Sequence, residues 1–203
     1  MLQTLTALGS LVLAGALLMP SPSTTNAPIA EGAYRVDAVH SSALFSAVHF
    51  GASRFYGRFN EVSGSIEFDP AKPTASKVTI EIDVASVDTH DTKRDQHLRG
   101  PDFFASKEFP TMSFTSKSVK VAHAAKDDQP LVLEVTGELE LAGKKRPLTA
   151  MVTQVGSGSG MGGTELVGFE TKFSITRSDF GVDYMVGGIS DNVDVILSVE
   201  AGR

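Results

Sequence analysis

Apolar and polar residues alternate with a period of two through most of this chain beyond residue 31. In residues 77–87, Val78, Ile80, Ile82 and Val84 fall on one face and Thr79, Glu81 and Asp83 on the other. Successive side chains of a strand point to opposite faces, so this pattern is a half-buried strand and not a helix. Residues 131–141, 167–175 and 192–200 repeat it, with rows such as Val193, Val195, Leu197 and Val199. Weaker strands are expected at 43–50, at 55–68 with a bend near Gly57 and Gly64, at 111–119, and at 147–155, which Pro147 opens. Turn residues punctuate them at 69–73, 127–130 and 142–144. The sum is about eight strands joined mostly by short loops. An antiparallel sheet of that size closes on itself to remove its edges, so the expected fold is all-β, an eight-stranded antiparallel barrel.

One stretch breaks the alternation. Residues 88–109 are dense in charge and then aromatic. Asp91 or Thr92 can cap a short helix through Leu98, stopped at Gly100, and Pro101 can start a further turn carrying Phe103 and Phe104. The expectation is a short helical insertion around residues 91–105. An interruption this long in a tight β chain reads as a lid or a site-forming loop. Residues 156–163 are rich in glycine and serine and read as a second, mobile loop.

Alternation alone suits both aqueous and membrane barrels. A spanning barrel needs aromatic girdles of Trp and Tyr, and this chain has no Trp and 3 Tyr. It has 12 Phe instead, which bring bulk without a polar tip. A small eight-stranded barrel either fills with side chains or holds one small ligand, and a phenylalanine-rich interior favours an apolar pocket. The net charge of −6 is the wrong sign for non-specific nucleic-acid binding. The absence of cysteine excludes disulfides, thiolate metal sites and thiol catalysis.

No charged residue occurs in residues 1–30. An apolar run over residues 2–19 and a Pro/Ser/Thr-rich stretch over 20–28 have the layout of a secretory signal. Eighteen apolar residues also just span a bilayer as an uncleaved anchor. Residues 1–30 are therefore expected to be a signal peptide or N-terminal anchor, and residues 31–203 the barrel domain. Either alternative puts the domain in the periplasm or otherwise outside the cytoplasm.

Gly158, Gly160 and Gly163 fit G-x-G-x-x-G, but the residues after them alternate as a strand, whereas a dinucleotide site needs a helix there. His90, Asp91, Asp95 and His97 cluster in sequence, yet the two histidines lie two helical turns apart, so no metal site is expected. Arg94 with Asp95 and His97, and Arg177 with Asp179, can either tie loops together or grip a polar head at the mouth of a pocket. As an enzyme site they lack a visible nucleophile–base pair, so no catalytic residue is assigned.

Several separated blocks carry a family likeness. They are residues 34–41 (YRVDAVHS) with Phe45 and His49, then 53–59 (SRFYGRF) and Gly64. The most specific is 94–104 (RDQHLRGPDFF), with Phe109 and Pro110 after it. Residues 137–143 with Pro147, then Gly168 and Phe169, 177–181 (RSDFG), and 193–201 complete the order. In these blocks the chain resembles the YceI-like family of periplasmic polyisoprenoid-binding proteins, from about residue 34 to residue 200. It departs at Ala142-Gly143, where many relatives carry His-Gly, and in its charge-poor leader.

The resemblance implies a lipocalin-like barrel whose elongated tunnel takes a polyisoprenoid or a related amphiphilic, quinone-type lipid. It implies binding or carriage, with no required cofactor beyond such a lipid. The expected tunnel wall is Phe45, Phe55, Phe59, Ile82, Phe103, Phe104, Met112, Phe114, Phe173 and Val195. The expected polar mouth is His49, Arg94, Asp95, His97, Arg177 and Asp179. A transient membrane contact and a homodimer are the further partners consistent with this reading. The competing readings are an enzyme acting on a small or lipidic substrate at the two Arg/Asp loops, and a structural or stress-responsive barrel with a packed core.

Overall fold

The computed structural model describes residue 30 and residues 32–203. The signal or anchor expected at residues 1–30 lies outside the described residues but for Ala30. The strands are β1 (Tyr34–Val36), β2 (Ser42–His49), β3 (Ser53–Phe59), β4 (Val62–Glu67), β5 (Lys77–Asp83), β6 (Val87–Asp88), β7 (Thr111–His123), β8 (Val132–Leu141), β9 (Lys144–Ser159), β10 (Glu165–Thr176) and β11 (Asn192–Gly202). A single α-helix among the described residues, α1 (Thr92–Leu98), lies between β6 and β7. No helix among these residues is long and apolar enough to cross a membrane.

The strands form a closed, antiparallel barrel. The hydrogen-bonded order runs β1-β4-β5-β7-β8-β9-β10-β11-β2-β3-β6, and β1 also pairs with β11. Three of the eight staves are kinked. Pairing of β2 with β3 (Ala43 opposite Phe59) continues as pairing of β1 with β4 (Tyr34 opposite Ile66), two residues out of register. In the same way β4–β5 (Val62 opposite Ile82) continues as β3–β6 (Phe59 opposite Val87). Thus β1 with β2, β3 with β4, and β5 with β6 each act as one bent strand, and β7 to β11 supply the other five staves. The ring is complete within Tyr34–Gly202, so among the described residues this stretch contains the whole core and is a unit by itself.

Local chemistry explains where the structure departs from the periodicity. The strand expected at 55–68 breaks at Asn60 and Glu61 rather than at its glycines. The one expected at 77–87 turns through a 3-10 segment, Val84–Ser86, because the Asp83 carboxylate accepts the Ala85 N–H and caps it. Residues 156–163 are not a loop throughout. Through Ser159 they belong to β9 and pair with β10, because backbone pairing does not depend on side chains. Pro147 lies inside β9, not at its start. It faces Glu138 in a hairpin closed by the two-residue turn Ala142-Gly143, at a position whose missing N–H would point away from β8. There β9 has no β10 partner, since their pairing begins only at Val152 opposite Thr171, so the proline costs no ladder bond.

The connections sort into two ends. The 68–76, 124–131 and 160–164 connections lie at one end. The 50–52 and 142–143 turns, the α1 insertion and the long 177–191 connection lie at the other. The first is called here the turn end and the second the insertion end.

Candidate functional site

Inward rows of the barrel surround a cavity of about 1750 Å³ of space free of protein atoms, its open part included. It runs lengthwise. Lining residues on β11 extend from Val193 to Val199, six steps of about 3.3 Å, or about 20 Å of strand. The inward side chains Ile82, Phe114, Val152, Val193 and Leu197 are only partly buried although they sit on the core face. Their free surface is turned to the cavity, so the middle of the barrel is a space and not a packed core. Nine of the twelve phenylalanines line it: Phe45, Phe55, Phe59, Phe68, Phe103, Phe104, Phe114, Phe169 and Phe173.

Two glycines make room for that wall. A Cβ on Gly57 would come within 2.4 Å of the Phe45 ring, and one on Gly137 within 2.5 Å of the Phe114 ring. The rings of Phe45, Phe55, Phe59 and Phe104 form a chain, with centroids 6.4 Å (Phe45–Phe55), 5.4 Å (Phe45–Phe59) and 5.7 Å (Phe59–Phe104) apart.

All ten residues expected for the tunnel wall line this cavity. Their strand alternation, or for Phe103 and Phe104 the turn after α1, brings them to one lumen. Of the six expected mouth residues only Arg177 reaches it. Buried Asp95 turns away and accepts hydrogen bonds from the Thr89 N–H and hydroxyl. Arg94 donates to the Thr89 hydroxyl and carbonyl, each at 2.7 Å, with its guanidinium 5.4 Å from the Phe55 ring centre. Exposed His97 meets the Asp102 carboxylate at 2.9 Å. His49 packs edge-on against Phe50, and Asp179 is exposed on the 177–191 connection. Of the two roles open to these groups, Arg94 and Asp95 take the tying of loops. Thr89 serves both, through its backbone and its hydroxyl.

Arg177 itself is spent on structure. It is 5 % exposed and donates to the carbonyls of Ser190, Val182 and Ile189 at 3.0, 2.7 and 3.0 Å. Burial lowers its pKa, and Asp191 and Asp183 oppose that shift. Five polar residues border the cavity: Ser76, Ser113, Glu170, Thr171 and Arg177. Ser76 donates to the Pro73 carbonyl, Thr171 to the Met151 carbonyl, and Glu170 pairs with Lys172. Among the described residues no buried side-chain nitrogen or oxygen lacks a partner. The lumen therefore presents carbon surface and holds back its polar atoms.

Periodicity missed three groups. Phe68 and Phe169 cross the lumen near the turn end with ring centres 5.2 Å apart, joining staves that are not neighbours. Phe169 stood in an alternating row and Phe68 at the end of the strand expected at 55–68, but neither pattern shows that the two rings meet. Val182, Tyr184 and Ile189 belong to the 177–191 connection, of which only the first residues, Arg177 to Gly181, stood out in sequence. Asp37, His40 and Glu200 also gather, with ligand-type atoms within 4.8 Å of one another, although 160 residues separate the last two. The Asp37 carboxylate holds the Val39 and His40 N–H groups and meets His40 Nδ1 at 2.9 Å. These bonds keep the Asp37 carboxyl below the usual range, and the same carboxylate raises the His40 pKa.

Comparison with known proteins places this architecture. Residues 34–201 match the family model described as YceI-like domain. Protein YceI of Escherichia coli O6:H1 is 38% identical over 169 residues, covering 82% of this chain and 85% of that protein. Among solved structures, Burkholderia cenocepacia BcnA superposes with a TM-score of 0.71 at 27% identity, covering 82% of this chain and 99% of its own. A polyisoprenoid-binding domain from Saccharophagus degradans gives a TM-score of 0.64 at 19% identity, covering 84% of this chain and 98% of its own.

Proposed function

The chain belongs to the YceI-like family, and from that premise we propose that it binds and carries a polyisoprenoid or quinone-type lipid outside the cytoplasm. The observation that carries this reading is the lumen: long, walled by nine phenylalanines, and bordered by polar groups that are nearly all engaged. Such a wall suits a branched apolar chain, which gains about 0.8 kcal/mol per buried methylene and finds no hydrogen-bonding partner to specify it. A polar head would stay at an end. Capacity then depends on chain length and shape more than on head-group chemistry. The charge-free residues 1–30 support export, and the polyisoprenoid-binding description of a fold relative agrees with the ligand class.

The enzyme alternative gains no support, because Arg94, Asp95 and Arg177 hold loop backbone and hydroxyl groups. A packed, ligand-free barrel is disfavoured by the open lumen. The test is an organic extract of protein purified without detergent, analysed by mass spectrometry beside a Leu197→Trp variant. Leu197 faces the lumen half-buried, so a tryptophan there fills space at little cost to the wall. The wild type is expected to yield lipid and to take up a prenyl quinone, with uptake by the variant weaker by about a hundredfold. Recovery of no lipid together with no quinone uptake by the wild type would sink the proposal.

A further inference from the structure

We infer that the insertion end docks on a phospholipid bilayer, through a fixed apolar tip built from the β2–β3 turn and the 183–189 loop. This inference rests on the lipid-binding reading above and adds where loading happens. Phe50 is 61% exposed, Val186 49%, Met185 43% and Tyr184 38%. The sequence around them, residues 184–190 and 50–52, contains no charged residue. An isolated exposed apolar side chain needs no explanation, but a charge-free group of four on adjoining loops does.

The two tips form one body. Phe50 N–H donates to the Gly188 carbonyl at 2.6 Å, and Ser190 N–H to the Val48 carbonyl at 2.9 Å. His49 and Ile189 form an antiparallel bridge. Phe50 and Met185 both hold positive φ, 46° and 52°. Bulky residues rarely adopt that region, and holding it strains the backbone. Here a strained backbone presents large apolar side chains to solvent, so two unfavourable terms coincide at one place.

What selects a bilayer as occupant is continuity with the cavity. The same loop turns Val182 and Ile189 inward onto the lumen wall. Tyr184 bridges outward surface and lumen, with its ring 5.4 Å from Phe103, which lines the cavity, and 5.3 Å from His97. An isoprenoid leaving a bilayer at this tip passes from acyl chains to Phe50 and Met185, then to Tyr184 and Phe103, without crossing water. The sides of the barrel carry exposed or half-exposed ion pairs, Lys117–Glu138 and Lys120–Glu134 among them, and suit water.

The test uses residues 30–203, whose ring and core are complete, and a Phe50→Asn/Met185→Asn variant. Asparagine accepts positive φ, so the variant keeps the turn. Three measurements are made: binding of a soluble fluorescent farnesyl probe, the rate of prenyl-quinone extraction from phosphatidylcholine vesicles, and flotation with those vesicles. The expected result is equal probe binding, extraction slower by about tenfold in the variant, and flotation of the wild type alone. Equal extraction rates with probe binding intact overturn the inference. So does a wild type that elutes as a dimer while the variant elutes as a monomer, because the tip then covers a second copy of this chain. If neither protein binds probe or quinone, the lipid-binding reading fails. Flotation then decides the surface alone, kept if only the wild type floats and lost otherwise.

Discussion

At the turn end Phe68 and Phe169, each 7% exposed, meet across the lumen. At the insertion end the rings of His97, Phe103 and Tyr184 meet instead, but His97 and Tyr184 are exposed and belong to two long segments outside the ladder. Both closures use edge-on rings of similar spacing. They differ in what holds the rings. Phe68 and Phe169 stand on or beside strands whose backbone bonds are shared with the whole barrel. Tyr184 stands on a loop pinned by the Arg177 guanidinium, and His97 and Phe103 on an insertion tied by Arg99 to the carbonyls of Ala85 and Val87. A plug built into the ladder opens only when the barrel unfolds. A clasp between two pinned loops can open by itself, since local openings cost less than global unfolding.

The largest effect expected from this contrast is at the fixed plug. Phe68→Ala removes a buried ring and is expected to lower global stability by about 3 kcal/mol, read from urea denaturation. A loss well below 1 kcal/mol would mean that the turn end is as loose as the other. Arg177→Met comes next. It strands three loop carbonyls and is expected to cost about 2 kcal/mol. Hydrogen exchange should rise at the Phe50 and Ser190 amides, which bond across the pinned loops, and stay unchanged at the β1–β4 ladder. Uniform acceleration would erase the distinction between the two ends.

Tyr184→Ala removes two ring contacts of the clasp, worth about 1 kcal/mol together. Global stability should fall by no more than that, while release of a bound isoprenoid quickens by about tenfold. Unchanged release in stopped flow would show that the lumen empties elsewhere.

The smallest effect is electrostatic and lies near the turn end, where Asp37 and Glu200 raise the His40 pKa above 6.5. A raised histidine contributes stability that is complete below its unfolded pKa and is lost as pH rises through the folded value. The lowered Asp37 contributes above its unfolded value, and that part is lost as pH falls. The interaction is therefore intact in the mildly acidic range between the two. An NMR titration should find the His40 midpoint above 6.5 in the wild type and lower in Asp37→Asn. A wild-type midpoint at or below 6.5 would contradict the contact.

Legibility followed the ladder in the same way. The wall residues on strands, Phe45 to Val195, were readable because alternation with period two leaves each side chain a single choice of face. Phe103 and Phe104 were readable only as an aromatic pair in an unusually long insertion. Of the expected mouth residues only Arg177 borders the lumen, and sequence left open whether the two Arg/Asp clusters tie loops or face the pocket. Arg94, Asp95 and Arg177 satisfy groups of the loops folded against them, and sequence spacing does not show which ones those are. The 184–189 tip had no period at all, so its exposure and its bond to the β2–β3 turn could not be read in advance.

The sequence by itself determined that the chain forms an antiparallel barrel with an apolar inner face, an interruption before β7 and a phenylalanine-rich lining. Those properties depend on local period and side-chain size, which every strand carries alone. Tertiary structure decided that the lumen stays open, that one end is plugged and the other clasped, and that a strained apolar tip stands beside the clasp. Those depend on which side chains meet across the ring, a relation between residues far apart in sequence, Phe68 and Phe169 or Phe103 and Tyr184, that no local pattern encodes.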